Sequence, residues 1–131
     1  MPEISELVGK ADWKLEKHVP VIDAPDAVKA GEWFDVKVSI GKEIAHPNTV
    51  EHHISWITLY FLAEGDKYPH MVGRCEFSAH GESMAGPNQG PLYTHHQVTV
   101  TLKTLKSGTL FAVSMCNIHG LWQSSKAVAA A

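Results

Sequence analysis

The sequence predicts an all-β fold: an immunoglobulin-like antiparallel sandwich or barrel of about seven strands, preceded by a short N-terminal helical turn. Three observations lead there. Short runs alternate apolar and polar residues with a period of two. Clusters rich in Gly, Pro and Asn separate those runs at short intervals. Only one segment, near the start, has a helical pattern. With 131 residues, 44% of them hydrophobic and 19% charged, the chain fits one domain spanning 1–131, large enough to bury a core without disulfides.

Taken in order, "PEISELVG" supplies the helical turn, and "KHVPVID" (17–23) is a short edge-strand candidate with a proline inside it. "WFDVKVSI" (33–40) alternates cleanly, with Phe34, Val36, Val38 and Ile40 on one face and Asp35, Lys37 and Ser39 on the other. "HISWITLYFL" (53–62) is apolar on both faces, as a central strand is. "MVGRCEFSA" (71–79), "HQVTVTLKTL" (96–105) and "GTLFAVSMC" (108–116) follow as strands. The last residues, "SSKAVAAA", read as a terminal strand that frays. "DAPDAVKAGE", "GKEIAHPNT", "AEGDKYP", "GESMAGPNQGP" and "KSG" are the turns between them.

A net charge of −3 gives no overall basic field to attract nucleic acid or an anionic membrane, so any anion must be drawn by a local charge. The two cysteines, Cys75 and Cys116, make no disulfide framework. The start is acidic where a signal peptide is basic, and no apolar run approaches the roughly 18 residues of a membrane span. The expected setting is a reducing cytoplasm.

Histidine is the unusual component: nine residues, dispersed through the chain. "EKHVP" places His18 in a proline-constrained stretch, "HPNTVEHH" places His46 in a turn before a doublet, and "CNIHG" places Cys116 at a strand end with His119 in the turn after it. Such junctions are where a rigid β scaffold presents ligands. Cys-x-x-His is metal-ligand spacing but only half a site. His52 and His53 adjoin on extended chain, so they point to opposite faces and only one can reach a given metal. His70, His80, His95 and His96 have no ligand spacing and read as surface or hydrogen-bonded residues. Cys75 reads as a small buried apolar residue.

"EKHVPVI", "GKEIAHPNTVEHHI", "VGRCEFSAHGES", "GPN", "LYT" and "CNIHGLW" resemble, in this order, the superoxide reductases of the one-iron neelaredoxin type, over about Asp12 to Trp122. The four-cysteine rubredoxin-like domain of desulfoferrodoxins has no counterpart here. The resemblance implies one iron per chain, with His18, His46, His52 and His119 as equatorial ligands and Cys116 as the axial thiolate. It selects His52 over His53, and it sets Glu16 and Lys17 beside the open sixth position. It further implies one-electron reduction of superoxide to hydrogen peroxide, electrons from rubredoxin or a similar small redox protein, and a homodimer or homotetramer. Ala45, Met115 and "THHQ" depart from the family's usual residues, and none is a ligand.

The implied donor set suits that chemistry. Five protein ligands are too many for tetrahedral structural zinc, whereas four imidazoles and a thiolate suit iron with one octahedral position open. A thiolate opposite that position pushes electron density toward it. Lys17 is the candidate local charge that draws superoxide, and Glu16 the candidate hard carboxylate cap for ferric iron. The competing reading is a blue-copper-like electron carrier. It needs two histidines, one cysteine and usually a methionine after the second histidine, and none follows His119. A structural metal-binding interaction module is a third reading, with no open position.

Overall fold

The computed structural model describes residues 1–131 as one short helix and eight strands. Helix α1 (Ile4–Leu7) is the expected helical turn; Glu3 and Glu6 close a capping box on it, and it buries no residue. The strands are β1 (Val21–Asp23), β2 (Ala27–Val28), β3 (Phe34–Ser39), β4 (Ile54–Ala63), β5 (His70–Glu76), β6 (Gln97–Leu102), β7 (Gly108–Cys116) and β8 (Gly120–Ala130). They form two sheets, ordered β1-β3-β6 and β2-β8-β7-β4-β5.

Alternation along the strands becomes the two faces of each sheet. β3 and β6 pair antiparallel from Phe34↔Leu102 to Ser39↔Gln97, with Val36, Val38, Val98 and Val100 turned to the core. Against them pack Ile57 and Leu59 of β4, Leu110 and Ala112 of β7, and Val128 of β8. Each large aliphatic side chain removed from water contributes about 1.5–3 kcal/mol, which makes this inter-sheet layer the main source of stability.

Two expectations need correction. The terminal residues do not fray: β8 runs for 11 residues and pairs with β7 along its length, from Gly108↔Val128 to Cys116↔Gly120. β2, which fell inside an expected turn, pairs parallel to the end of β8, so the strands number eight and one pair is parallel. Small Ala and Ser side chains hide this strand's alternation; only Val128 in that stretch is fully buried. The edge candidate at 17–23 narrows to Val21–Asp23, while residues 17–19 bend. Pro20 has no N–H to continue the ladder.

Topology gathers the segments that carry His18, His46, His52, Cys116 and His119. The start of β1 lies against the end of β3, and the start of β4 against the end of β7. A register shift between Ile54 and Trp56 sits opposite Met115 and Cys116. Bulges of this kind often re-aim side chains beside a site.

Candidate metal centre

His18 is carried by an irregular segment fixed to the larger sheet. Buried Ser114 donates its hydroxyl to the His18 carbonyl at 3.2 Å, and Ser124 donates to the Pro20 carbonyl at 2.6 Å. The Glu16 carboxylate folds back to accept the His18 backbone N–H and lies 2.9 Å from its Nδ1. With Nδ1 so engaged, Nε2 is the free end, and it stands 3.1 Å from His119 Nδ1.

The loop between β3 and β4 carries His46 and His52. It starts at Gly41, whose φ is +79° and where a Cβ would lie 2.7 Å from the His46 backbone nitrogen, so no side chain fits. His46 Nδ1 lies 2.7 Å from the Pro47 carbonyl, which fixes the proton there and leaves Nε2 bare. The Thr49 hydroxyl accepts the His52 N–H at 3.0 Å, closing a local turn. Two asparagines pin this loop to the segment before β6: Asn88, from outside, accepts the Val50 N–H at 2.8 Å, and Asn48, within the loop, donates to the Thr94 carbonyl at 3.0 Å.

Cys116 and His119 come from the β7–β8 hairpin. Cys116 pairs with Gly120, whose φ of +78° supplies the left-handed residue that a three-residue hairpin loop needs. The turn brings the His119 N–H to 3.3 Å from Cys116 Sγ and its Nδ1 to 3.7 Å. Asn117 joins the two loops: it accepts the His53 N–H at 2.8 Å and donates to the Glu51 carbonyl at 2.9 Å.

One ligand atom from each of His18, His52, Cys116 and His119 lies within 4.8 Å of every other. His46 falls outside that set of four, but its ring stands edge-on to His18 at 4.9 Å and to His52 at 4.8 Å between centroids. Cys116 is fully buried, and His18 and His46 nearly so. Burial is the main cause that lowers the pKa of His18, His46 and His52, in His46 to about 4. All three are therefore neutral at neutral pH, the form a metal requires. Nε2 of His46 and Nε2 of His52 are buried with no hydrogen-bond partner. Such orphaned atoms are costly unless a ligand meets them, and imidazoles converging on a thiolate fit a transition-metal ion.

A desulfoferrodoxin family model matches residues 10–125. The chain belongs to the desulfoferrodoxin family. It is 60% identical to the neelaredoxin of Megalodesulfovibrio gigas, over 97% of this chain and 98% of that protein. It is 55% identical to the superoxide reductase of Pyrococcus furiosus, over 92% and 95% of the two chains. The solved superoxide reductase (neelaredoxin) from Archaeoglobus fulgidus in the reduced form superposes with a TM-score of 0.88 at 53% identity, covering 94% of this chain and 98% of that one.

Other features of this desulfoferrodoxin-family chain fall outside the cluster. Glu16 is held against His18, so in this conformation it orients that ring. Lys17 lies near enough for its charge to add a lesser downward pull on the pKa of His18 and His52, behind burial. His53 turns away and stacks on His80 at 3.5 Å between centroids. His80 is buried between Asn48 Oδ1 (3.0 Å) and the Phe77 carbonyl (2.7 Å). Cys75 is a free thiol, half-buried against the core. Reading by ligand spacing passed over buried His96, whose ring lies 5.8 Å from that of His46, and also Ser114 and Asn117. A serine at an inward position of "AVSMC" is the one local sign that β7 must offer a hydrogen bond.

Proposed function

We propose that this chain is a superoxide reductase whose iron is held by His18, His46, His52, His119 and Cys116. The observation that carries the reading is the convergence of His18, His52, His119 and Cys116, with the buried, unpartnered nitrogens of His46 and His52 beside them. When bound, iron supplies the single electron that, with two protons, converts superoxide to hydrogen peroxide.

The chain's own residues prepare for that step. Glu16 accepts a hydrogen bond from the Nδ1–H of His18 and leaves the lone pair of Nε2 free for a metal. The His119 N–H donates to the Sγ of fully buried Cys116 and so holds that sulfur in place as a ligand. Lys17 gives the metal-bearing end a positive charge that the molecule as a whole lacks, and so draws an anionic substrate. Glu16 would serve as a cap on oxidised iron only by leaving His18, so that role would require the carboxylate to swing. A small redox protein such as rubredoxin returns the electron, the chains assemble as a homodimer or homotetramer, and the setting is a reducing cytoplasm; family resemblance supports the first two, and two free thiols suit the third.

The deciding experiment measures superoxide consumption by iron-loaded protein with and without reductant. Consumption is expected to stop after one superoxide per iron without a donor, and to continue with one, yielding hydrogen peroxide and no dioxygen. Sustained consumption with dioxygen release and no donor would make the protein a dismutase instead.

A further inference from the structure

Trp122 opens β8 directly after the Cys116–Gly120 turn and touches two of the cluster's histidines at once. Its indole stacks on the His18 ring, with centroids 5.1 Å apart and planes 15° from parallel. Its Nε1–H donates to the His119 carbonyl at 3.3 Å. These histidines are 101 residues apart in sequence, yet their ring nitrogens meet at 3.1 Å.

The contact is built rather than incidental. Gly9 brackets Trp122 in a parallel bridge, its N–H donating to the Leu121 carbonyl and its carbonyl accepting the Gln123 N–H, both at 2.9 Å. A Cβ at residue 9 would lie 2.4 Å from Cε3 and 2.5 Å from Cδ2 of the indole. Gly9 is not among the glycines with positive φ, so close approach, not conformational freedom, is what the position needs. Trp122 is half-buried and lies outside the hydrophobic core, so filling that core is not its purpose.

Glu16 fixes where Nδ1 of His18 points, but one bond in the ring plane does not stop the plane from tilting. A flat neighbour does. We propose that Trp122, pressed by the Gly9 backbone, is a positioning residue: it sets the ring plane of His18 and the turn carbonyl of His119, so that Nε2 of the first and Nδ1 of the second address one point. The inference rests on the reading of this cluster as an iron site.

The test compares wild type, Trp122→Leu, Trp122→Phe and Gly9→Ala. Metal-free protein is titrated anaerobically with ferrous iron against a competing chelator. The visible band of each oxidised, iron-loaded protein and the thermal midpoint of each metal-free protein are recorded as well. Trp122→Leu should weaken iron binding by about 10–100-fold, the usual range for residues that orient ligands, and shift the band while the metal-free midpoint holds. Trp122→Phe keeps a flat ring and should return the band toward wild type while retaining part of the affinity loss. Gly9→Ala should reproduce the band shift with the indole still present, and it carries the test if Trp122→Leu does not fold. Wild-type affinity and spectrum in both Trp122→Leu and Gly9→Ala would overturn the proposal. So would an affinity loss matched by lost metal-free stability and unrelieved by Trp122→Phe. A wild-type chain that takes up no iron would sink the metal reading, and this inference with it.

Discussion

His52 and His53 are neighbours in sequence and opposites in structure. His52 points its Nε2 into a buried space where no protein group meets it. His53 stacks flat on His80 and sets Nδ1 2.9 Å from the Thr49 carbonyl. Both stand beside Asn117 and the start of β4, but their rings leave the chain toward different surroundings. What separates them is whether the fold supplies a partner for the ring. A histidine the protein satisfies internally ties loops together; one that it buries and leaves bare is held ready for something else.

The sharpest way to break that contrast is to remove each ring in turn. His52→Ala should cost more than 100-fold in iron affinity, beyond the usual effect of residues that merely orient ligands. His53→Ala should leave iron affinity nearly unchanged and instead lower the stability of the metal-free protein. Chelator competition and urea denaturation on both variants read the two effects, and equal losses of affinity would erase the distinction.

A second test uses pH. Burial, with lesser help from the charges of His95 and His80, holds the His96 pKa at about 4 in the folded protein. An unfolded histidine titrates near 6.5. Below that value the unfolded chain takes up a proton that the folded chain refuses. The stability contribution is thus intact above about 6.5, falls as pH drops, and is fully lost near 4, a change on the order of 3 kcal/mol. In metal-free protein His96→Gln should flatten the decline across this window; urea midpoints between pH 7 and 4 check it. An unchanged slope would mean that His96 is not held neutral by the fold.

The smallest effect belongs to Lys17, whose charge reaches His18 and His52. Lys17→Ala should slow the second-order reaction with superoxide several-fold and weaken its dependence on ionic strength, as loss of one steering charge does. Stopped-flow rates at two salt concentrations read both. A slower rate with the salt slope intact would assign Lys17 to packing rather than steering.

Strands with strong alternation, β3 and β6 above all, were legible because each places Val at every second position against the core. β8 was read as a strand but not in its full length or firmness, because its Ala and Ser side chains are small on both faces and its pairing is settled by β7 and β2 rather than by its own pattern. At the site, "CNIHG" and "HPNTVEHH" were visible as ligand spacings, and opposite faces explain why only one of the doublet turns inward. That His52 is that one came from family resemblance, not from the residues. The indole on the His18 ring depends on a crossing of distant segments, which no local window contains, whereas the bend of Glu16 onto His18 is local and rests on the irregular backbone at 17–19.

The wide sequence separation of the clustered side chains has a consequence for how the protein is made. In the unfolded chain the proposed ligands stay close only in two separate pairs, His46 with His52 and Cys116 with His119, so a nascent or denatured polypeptide is a poor chelator for all five. His18 joins them only after the sheets have closed over 101 residues of intervening chain. Under the proposed function, metal affinity would therefore belong mostly to the folded state, and each increment of it would be returned as resistance to unfolding. On the proposed reading a bound ion would act as a late-setting knot tying three loops, and stripping it should speed unfolding far more than it slows folding.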